Sequence, residues 1–465
     1  MNSLLLRIYH RLPPGGKSLA ASLHGRRLRS WRYGPETERL IAEACEREYW
    51  SAARWRAWQE ERLAYILHRA ATRVPYYREY WSQRRRKGDS ASWERLENWP
   101  VLEKRAVRSN PEAFRSEDSN LRDLRIEHTS GTSGTPLPVW WSRSTTRNWF
   151  ALLETRWRLW NGVSRHDRWG ILGGQLVTPL RRQHPPFWIW NAPMRQLYLS
   201  SFHLSPRYVA AYLKAIRSYE IQYLIGYSSS LHLLAREILR FGNPAPLMKV
   251  AITNAEPLLD LQQAKISKAF GCPVRQTYGM AEAVAAASEC EHRRMHLWPE
   301  VGILEFRDRK SGEFACRAGE LICTGLLNPD MPLIRYAVGD AGSLPEEEQP
   351  CPCGRNLPAI AKVDGRANDT LVTRDGRRVF WLNPVFYGLP VEEAQIIQDR
   401  IDQIRLRYIP SPDFSEHSLR EILSRLRDRL GAVHIHTERL EQIPREANGK
   451  FRPVICNLPV AESEN

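Results

Sequence analysis

Apolar and polar positions along this 465-residue chain change period several times, and each change marks an element. From about residue 36 to 87 the positions of Ile41, Ala44, Tyr49, Trp55, Trp58, Leu63 and Ile66 follow helical periodicity, which predicts a helical region whose tryptophans serve as core. Pro75-Tyr76-Tyr77 and Trp99-Pro100-Val101-Leu102 punctuate it as loops or short extended segments. Residues 144–162 read as a helix ending at Asn161-Gly162. Short apolar strands at 169–172, 223–226, 250–253 and 274–277 then alternate with helices at 206–218, 229–240 and 258–269, a pattern that predicts parallel strands in an α/β layer architecture. From 303 to 340 the pattern turns β-rich, with Gly, Pro and Asp at the turns. Residues 363–369 read as a connector, and a smaller α+β unit follows. The chain contains no internal repeat and no low-complexity segment.

Composition narrows the class. With 42% hydrophobic and 26% charged residues, the chain reads as globular rather than disordered. No run of eighteen apolar residues exists, and Leu4-Leu5-Leu6 is broken by Arg7, so neither a spanning helix nor a secretory h-region is expected and the expected location is the cytoplasm. The net charge of +16 fits nucleic acid, an anionic membrane surface or polyanionic small substrates alike. Residues 1–35 hold seven Lys or Arg and no Asp or Glu, as in a solvated arm packed loosely on the fold or a short basic amphipathic helix at 1–12 resting on lipid headgroups.

The run Ser130-Gly131-Thr132-Ser133-Gly134-Thr135 supplies hydroxyls together with backbone N–H groups that glycine frees to converge on an anion, as a phosphate site requires. A flexible turn has the same composition. No lysine follows Gly134, so the run is not the P-loop of nucleotide triphosphatases.

Further segments follow in order: Thr253-Asn254-Ala255-Glu256-Pro257, Gln276-Thr277-Tyr278-Gly279-Met280-Ala281-Glu282, Ile334-Arg335-Tyr336-Ala337-Val338-Gly339-Asp340, Gly365-Arg366 and Asn448-Gly449-Lys450. With these the chain resembles the adenylate-forming acyl-CoA synthetase superfamily, and within it the phenylacetate-CoA ligase family and its capsular polysaccharide branch. The likeness spans nearly everything from Pro75 to Pro453. It implies a large multi-layer α/β N-terminal domain and a small α+β C-terminal domain, divided as a basic arm at 1–35, an AMP-binding domain at 36–365 and a mobile domain at 366–465. The implied cofactors and substrates are ATP, Mg²⁺, coenzyme A and a small carboxylic acid.

By this resemblance the Ser130 to Thr135 loop would grip the β and γ phosphates. Asn254, Ala255, Glu256, Tyr278, Gly279, Met280 and Arg366 would surround the nucleotide, and Asp340 would accept hydrogen bonds from the ribose hydroxyls. Glu282 would hold Mg²⁺, a hard cation that favours carboxylate oxygens. Lys450 would bring a mobile cation to the carboxylate and α-phosphate, and Asn368 would be the hinge. Two positions depart from the family pattern: Ala281 replaces a hydroxyl-bearing residue, and Asn368 replaces Asp.

Cys351-x-Cys353, Cys290 and His296 offer three thiolates and one imidazole, a set suited to a tetrahedral structural Zn²⁺, with His292 competing as the fourth ligand. A similar set occurs in members of the family. Cys272, Cys316, Cys323 and Cys456 sit in apolar contexts and read as core. The expected activity is ATP-dependent activation of a carboxylic acid followed by transfer to coenzyme A. The alternatives are transfer to an amine or hydroxyl, such as a sugar nucleotide, and a non-catalytic zinc-bearing nucleic-acid-binding protein; nucleic acid is the less expected partner.

Overall fold

The computed structural model describes residues 8–129, 137–175, 177–179, 182–242, 245–308, 311–314, 317–347, 349–366, 371–374, 378–379, 382–386, 388–446 and 450–458. Ser130 to Thr135, Asn368, Asn448 and Gly449 therefore lie outside the described residues, as does Cys316.

The helical N-terminal region is divided rather than continuous. It comprises α1 (Pro14–Arg32), α2 (Thr37–Arg47), α3 (Ala52–Arg73) and α4 (Pro75–Arg86), followed by the short α5 (Lys104–Ser109). Ser51 caps α3 by accepting from the Arg54 amide, and Pro75 opens α4 at a position where its missing N–H costs nothing. α1 differs from the loosely packed arm expected of the basic N-terminus. It lies against the edge strand of the central sheet, where the Ser18 and Ser22 hydroxyls bond the backbone of Trp190 and Ala192. A Cβ on Gly25 would run into the Asn191 amide, so small residues permit this approach. The helix buries Leu28 and Trp31 while its opposite side stays wet, and apolar periodicity alone reveals so narrow a contact poorly.

After β1 (Leu124–His128), β2 (Pro138–Ser142) and α6 (Arg143–Leu153), a central sheet forms from β3 (Trp169–Gly173), β4 (Trp188–Asn191), β5 (Gln196–Ser200), β6 (Tyr223–Tyr227), β7 (Val250–Asn254), β8 (Val274–Gly279), β9 (Ala286–Glu289) and β10 (Met295–Leu297). Its order is β10-β9-β8-β7-β6-β3-β5-β4. The five strands β8-β7-β6-β3-β5 are parallel, and the outer strands at both edges run antiparallel. Alternate residues explain why these strands read as continuous apolar runs. Leu224 and Ala251 face α7 (Val209–Ser218), α8 (Ser228–Phe241) and α9 (Asp260–Phe270), whereas Tyr223, Ile225, Val250 and Ile252 pack with Val163 and Trp157 on the other side.

An antiparallel sheet follows, made of β11 (Gly302–Arg307), β12 (Ala318–Gly325), β13 (Tyr336–Ser343) and β14 (Lys362–Arg366). It shares a core with Tyr77, Trp81 and Trp99. After the short β15 (Leu371–Val372) and β16 (Arg378–Val379), the C-terminal unit has the order β19-β18-β17-β20. Its strands are β17 (Val391–Arg400), β18 (Gln403–Pro410), β19 (His434–Arg439) and β20 (Val454–Cys456), and α10 (Glu416–Leu430) lies across them. Its own core joins Ile396, Ile404 and Leu406 to Ile422, Leu426 and Leu430 of the helix. Among the described residues, no helix is long and apolar enough to cross a membrane.

Candidate active site

The carboxyl ends of parallel strands form the crevice where open α/β sheets bind ligands, and most of the motif residues sit there. Tyr227 and Asn254 pair across β6 and β7 at those ends. Ala255 follows with φ 62°, a left-handed conformation uncommon outside glycine, and turns the chain so that Glu256 points back to the N-terminus of α8. Asn254 Oδ1 is buried without a hydrogen-bond partner among the described residues. Unpartnered buried polar atoms are uncommon, and a polar ligand is one way to satisfy them.

Asp340 owes its position to a break in register. Between Ile322↔Ala337 and Glu320↔Ala341 the pairing of β12 with β13 slips, and Gly339 adopts φ 85° there. Asp340 Oδ2 accepts a 2.8 Å bond from the Tyr278 hydroxyl, which joins the two motifs. Burial, with the charge of Asp340, holds the Tyr278 phenol well above its ordinary value, so it remains a donor. Asp340 also pairs with Arg366 across β13 and β14.

Glu282 is buried at the far side of the same motif, between Ala281 and the positive-φ Ala283. Its Oε1 accepts from Lys104 Nζ at 2.8 Å and from the Tyr336 hydroxyl at 3.2 Å. Sequence reasoning missed Lys104, which lies 178 positions away. Leu102 exchanges backbone bonds with Arg335 and Ala337 beside β13, and this extended segment delivers Lys104 two residues later. The Ala281 carbonyl accepts from the Trp141 indole at 3.0 Å, which fixes β2 against the Glu282 turn. Thr129 and Leu137 join β1 to β2 by two bonds, of 3.0 and 2.9 Å.

Lys450 reaches this crevice from the C-terminal unit. Its ammonium stands 5.7 Å from the centroid of the Tyr227 ring, over the face, at the end of β6. Glu256 does not point at open space. Its Oε2 accepts from the Ser229 amide at 3.0 Å, and its Oε1 from the Phe451 amide at 2.7 Å. Burial pushes the Glu256 carboxyl upward, and these backbone bonds and Arg445 oppose it. Trp140 and Trp141 are core, and His203 is held by the Ser200 hydroxyl and the Pro179 carbonyl.

A second cluster lies at the sheet edge. The ligand atoms of Cys290, His296, Cys351 and Cys353 all fall within 4.8 Å of one another. Cys290 Sγ is 3.7 Å from Cys351 Sγ, and Cys353 Sγ is 3.4 Å from His296 Nε2. A tetrahedron with Zn–S near 2.3 Å and Zn–N near 2.0 Å has edges of about 3.8 and 3.5 Å, so the donors fit that ion. His296 Nδ1 bonds the Leu357 carbonyl at 3.1 Å, which leaves Nε2 facing the sulfurs. His292 is exposed and stands outside the cluster.

Comparison with known proteins agrees with this architecture. Residues 371–457 match the CapK C-terminal domain family. The chain is 26% identical over 407 residues to protein CapK of Staphylococcus aureus, covering 86% of this chain and 89% of that protein. It is 25% identical over 467 residues to the phenylacetate-coenzyme A ligase of Thermus thermophilus, covering 91% of this chain and 99% of that ligase. Its homologues are thus CapK and the phenylacetate-coenzyme A ligases. The fold also matches crystal structures of 2-hydroxyisobutyryl-CoA ligase at 18–19% identity, covering 88% of this chain and 91% of that one. The TM-score is 0.63 for that ligase in its postadenylation state and 0.51 in its thioesterification state.

Proposed function

We propose that this chain activates a small carboxylic acid with ATP as an acyl-adenylate and passes the acyl group to coenzyme A. One observation carries the reading: a lysine from the C-terminal unit stands over the end of β6, in a crevice that also gathers Asn254, Tyr278 and Asp340. The chemistry needs that arrangement. A carboxylate oxygen bonds to the α-phosphorus while the bond to the β-phosphate oxygen breaks and pyrophosphate departs, so an anion must approach a polyanion. Fixed cations and donors aimed at the developing charge are the principal aid, and no enzyme nucleophile is required.

In this reading Lys450 neutralises charge between the acid and the α-phosphate, and Lys104 does so on the opposite side. Tyr278 fixes the Asp340 carboxylate for the ribose hydroxyls, and the Ser130 to Thr135 run would grip the β and γ phosphates. Glu282 would hold Mg²⁺, which would supply positive charge against the phosphates. Asn368 would be the hinge of a mobile domain beginning near 366, and the sulfur cluster would bind a structural Zn²⁺ that staples the 351–357 loop to the sheet edge. A second reading, implied by the resemblance of the sequence motifs, is acyl transfer to an amine or hydroxyl acceptor such as a sugar nucleotide in place of coenzyme A.

Replacing Lys450 with Ala tests the reading directly. Carboxylate-dependent exchange of pyrophosphate into ATP should fall by about two orders of magnitude, the loss typical of one transition-state charge stabiliser. Unchanged exchange would remove Lys450 from the chemistry. Hydroxylamine trapping of the adenylate with and without coenzyme A separates thioester formation from transfer to another acceptor.

A further inference from the structure

Glu256 stands in a nucleotide-binding motif, yet both of its carboxylate oxygens are engaged elsewhere. One accepts from Ser229 N in the first turn of α8, where the helix dipole favours negative charge. The other accepts from Phe451 N, the residue immediately after Lys450. The Lys450 carbonyl in turn accepts a 3.0 Å bond from Glu446 N. Arg445 lies over the Phe451 ring at 4.9 Å and donates to Glu393 Oε1 at 2.7 Å, tying the turn to β17. The backbone beside Lys450 is thus held from both directions, and on the side of the large domain a Glu256 oxygen accepts the amide of its neighbour Phe451. A lysine stem has four rotatable bonds, so the reach of its ammonium is set by where that backbone is held.

We propose that Glu256 is a positioning residue that docks the Lys450 turn onto the large domain, and that it serves acyl-adenylate formation through Lys450 without touching ATP. The proposal rests on the adenylation reading above. It also explains why a strained alanine precedes this glutamate: the φ of 62° at Ala255 turns the carboxylate away from the line of β7 and toward α8 and Phe451.

The test uses the full chain with Glu256→Ala, Glu256→Gln, Lys450→Ala and the Glu256→Ala/Lys450→Ala double variant. Loss of a hydrogen bond to a charged acceptor predicts that Glu256→Ala slows carboxylate-dependent pyrophosphate exchange by about 10- to 100-fold. Affinity for Mg·ATP should stay within about twofold, and Glu256→Gln, which keeps one acceptor, should fall between. In the Lys450→Ala background the alanine at 256 should cost less than about twofold more, because groups acting as a unit are not additive. Additive losses, or a parallel loss of ATP affinity, would mean that Glu256 acts on the nucleotide and would overturn the proposal. Amide exchange across 445–456 supplies a readout independent of turnover. It should accelerate in Glu256→Ala, and unchanged protection there would also overturn the docking role. If that segment is released but no acid supports ATP consumption in the unmodified protein, the docking role stands and the adenylation reading fails.

Discussion

The Lys104–Glu282 pair allows a prediction that needs no substrate. Glu282 has a side chain 4% exposed, while that of Lys104 is 24% exposed, and the charged atoms are 2.8 Å apart. Removing one partner of a buried ion pair costs about 3–5 kcal/mol, because the remaining charge stays desolvated. Two features reduce that figure: the lysine retains some water, and the Tyr336 hydroxyl continues to bond Glu282 Oε1. A loss of about 2–3 kcal/mol is therefore expected for Lys104→Met, which keeps the apolar stem and removes the charge. An exposed pair would give about 0–1 kcal/mol. The assay is urea denaturation followed by tryptophan fluorescence, which reports the large domain because every tryptophan but Trp381 precedes residue 366. Glu282→Gln relieves the stranded charge, so the Lys104→Met/Glu282→Gln double variant should be more stable than the sum of the single losses implies, by about 2 kcal/mol. Single losses that add to within about 0.5 kcal/mol would refute the reasoning, since independent sites add to that tolerance.

Three other outcomes follow from the geometry. A Cβ on Gly302 would run into the Val284 carbonyl oxygen and lie 2.7 Å from that of Thr324, so Gly302→Ala should lower the denaturation midpoint by the equivalent of about 1–3 kcal/mol; an unchanged midpoint would contradict the packing beneath the Glu282 turn. Purified protein should carry about one zinc per chain, and Cys353→Ser should lower that content and speed proteolysis within the 351–357 loop, so elemental analysis finding equal zinc in both proteins would eliminate the site. His232 is buried against Glu392, with Glu393, Lys265, Arg236 and Arg445 also acting on it, and burial lowers its pKa from 6.5 to about 3. The unfolded chain then binds more protons than the folded one between those values, so stability should rise with pH through that window and fall on acidification below about 6.5. His232→Asn should flatten this dependence in denaturation curves taken from pH 4 to 7, and an identical slope would rule His232 out as its source.

Periodicity marked the parallel core well. Strands expected at 169–172, 223–226, 250–253 and 274–277 appear at 169–173, 223–227, 250–254 and 274–279, since strands covered on both faces are apolar throughout. The apolar runs leave β4 and β5 unmarked, and the basic composition of the N-terminus reads as a loose arm because the Gly and Pro residues that open α1 hide a helix whose contact with the sheet edge uses small residues. The four zinc-ligand candidates share a chemistry that spacing makes visible, and folding brings them within one coordination sphere.

By itself, the order of residues determined the layered α/β class and the set of polar motifs, because burial imposes a local period and each motif is contiguous in the chain. Tertiary structure alone decided which groups meet across long separations. It set Lys104 on Glu282, turned Asp340 toward Tyr278 through a slip in strand register, and engaged Glu256 with the segment that carries Lys450. A hydrogen bond depends on a few tenths of an ångström and on the angle between donor and acceptor. Residues separated by 62 to 195 positions acquire that precision only when the intervening elements have packed.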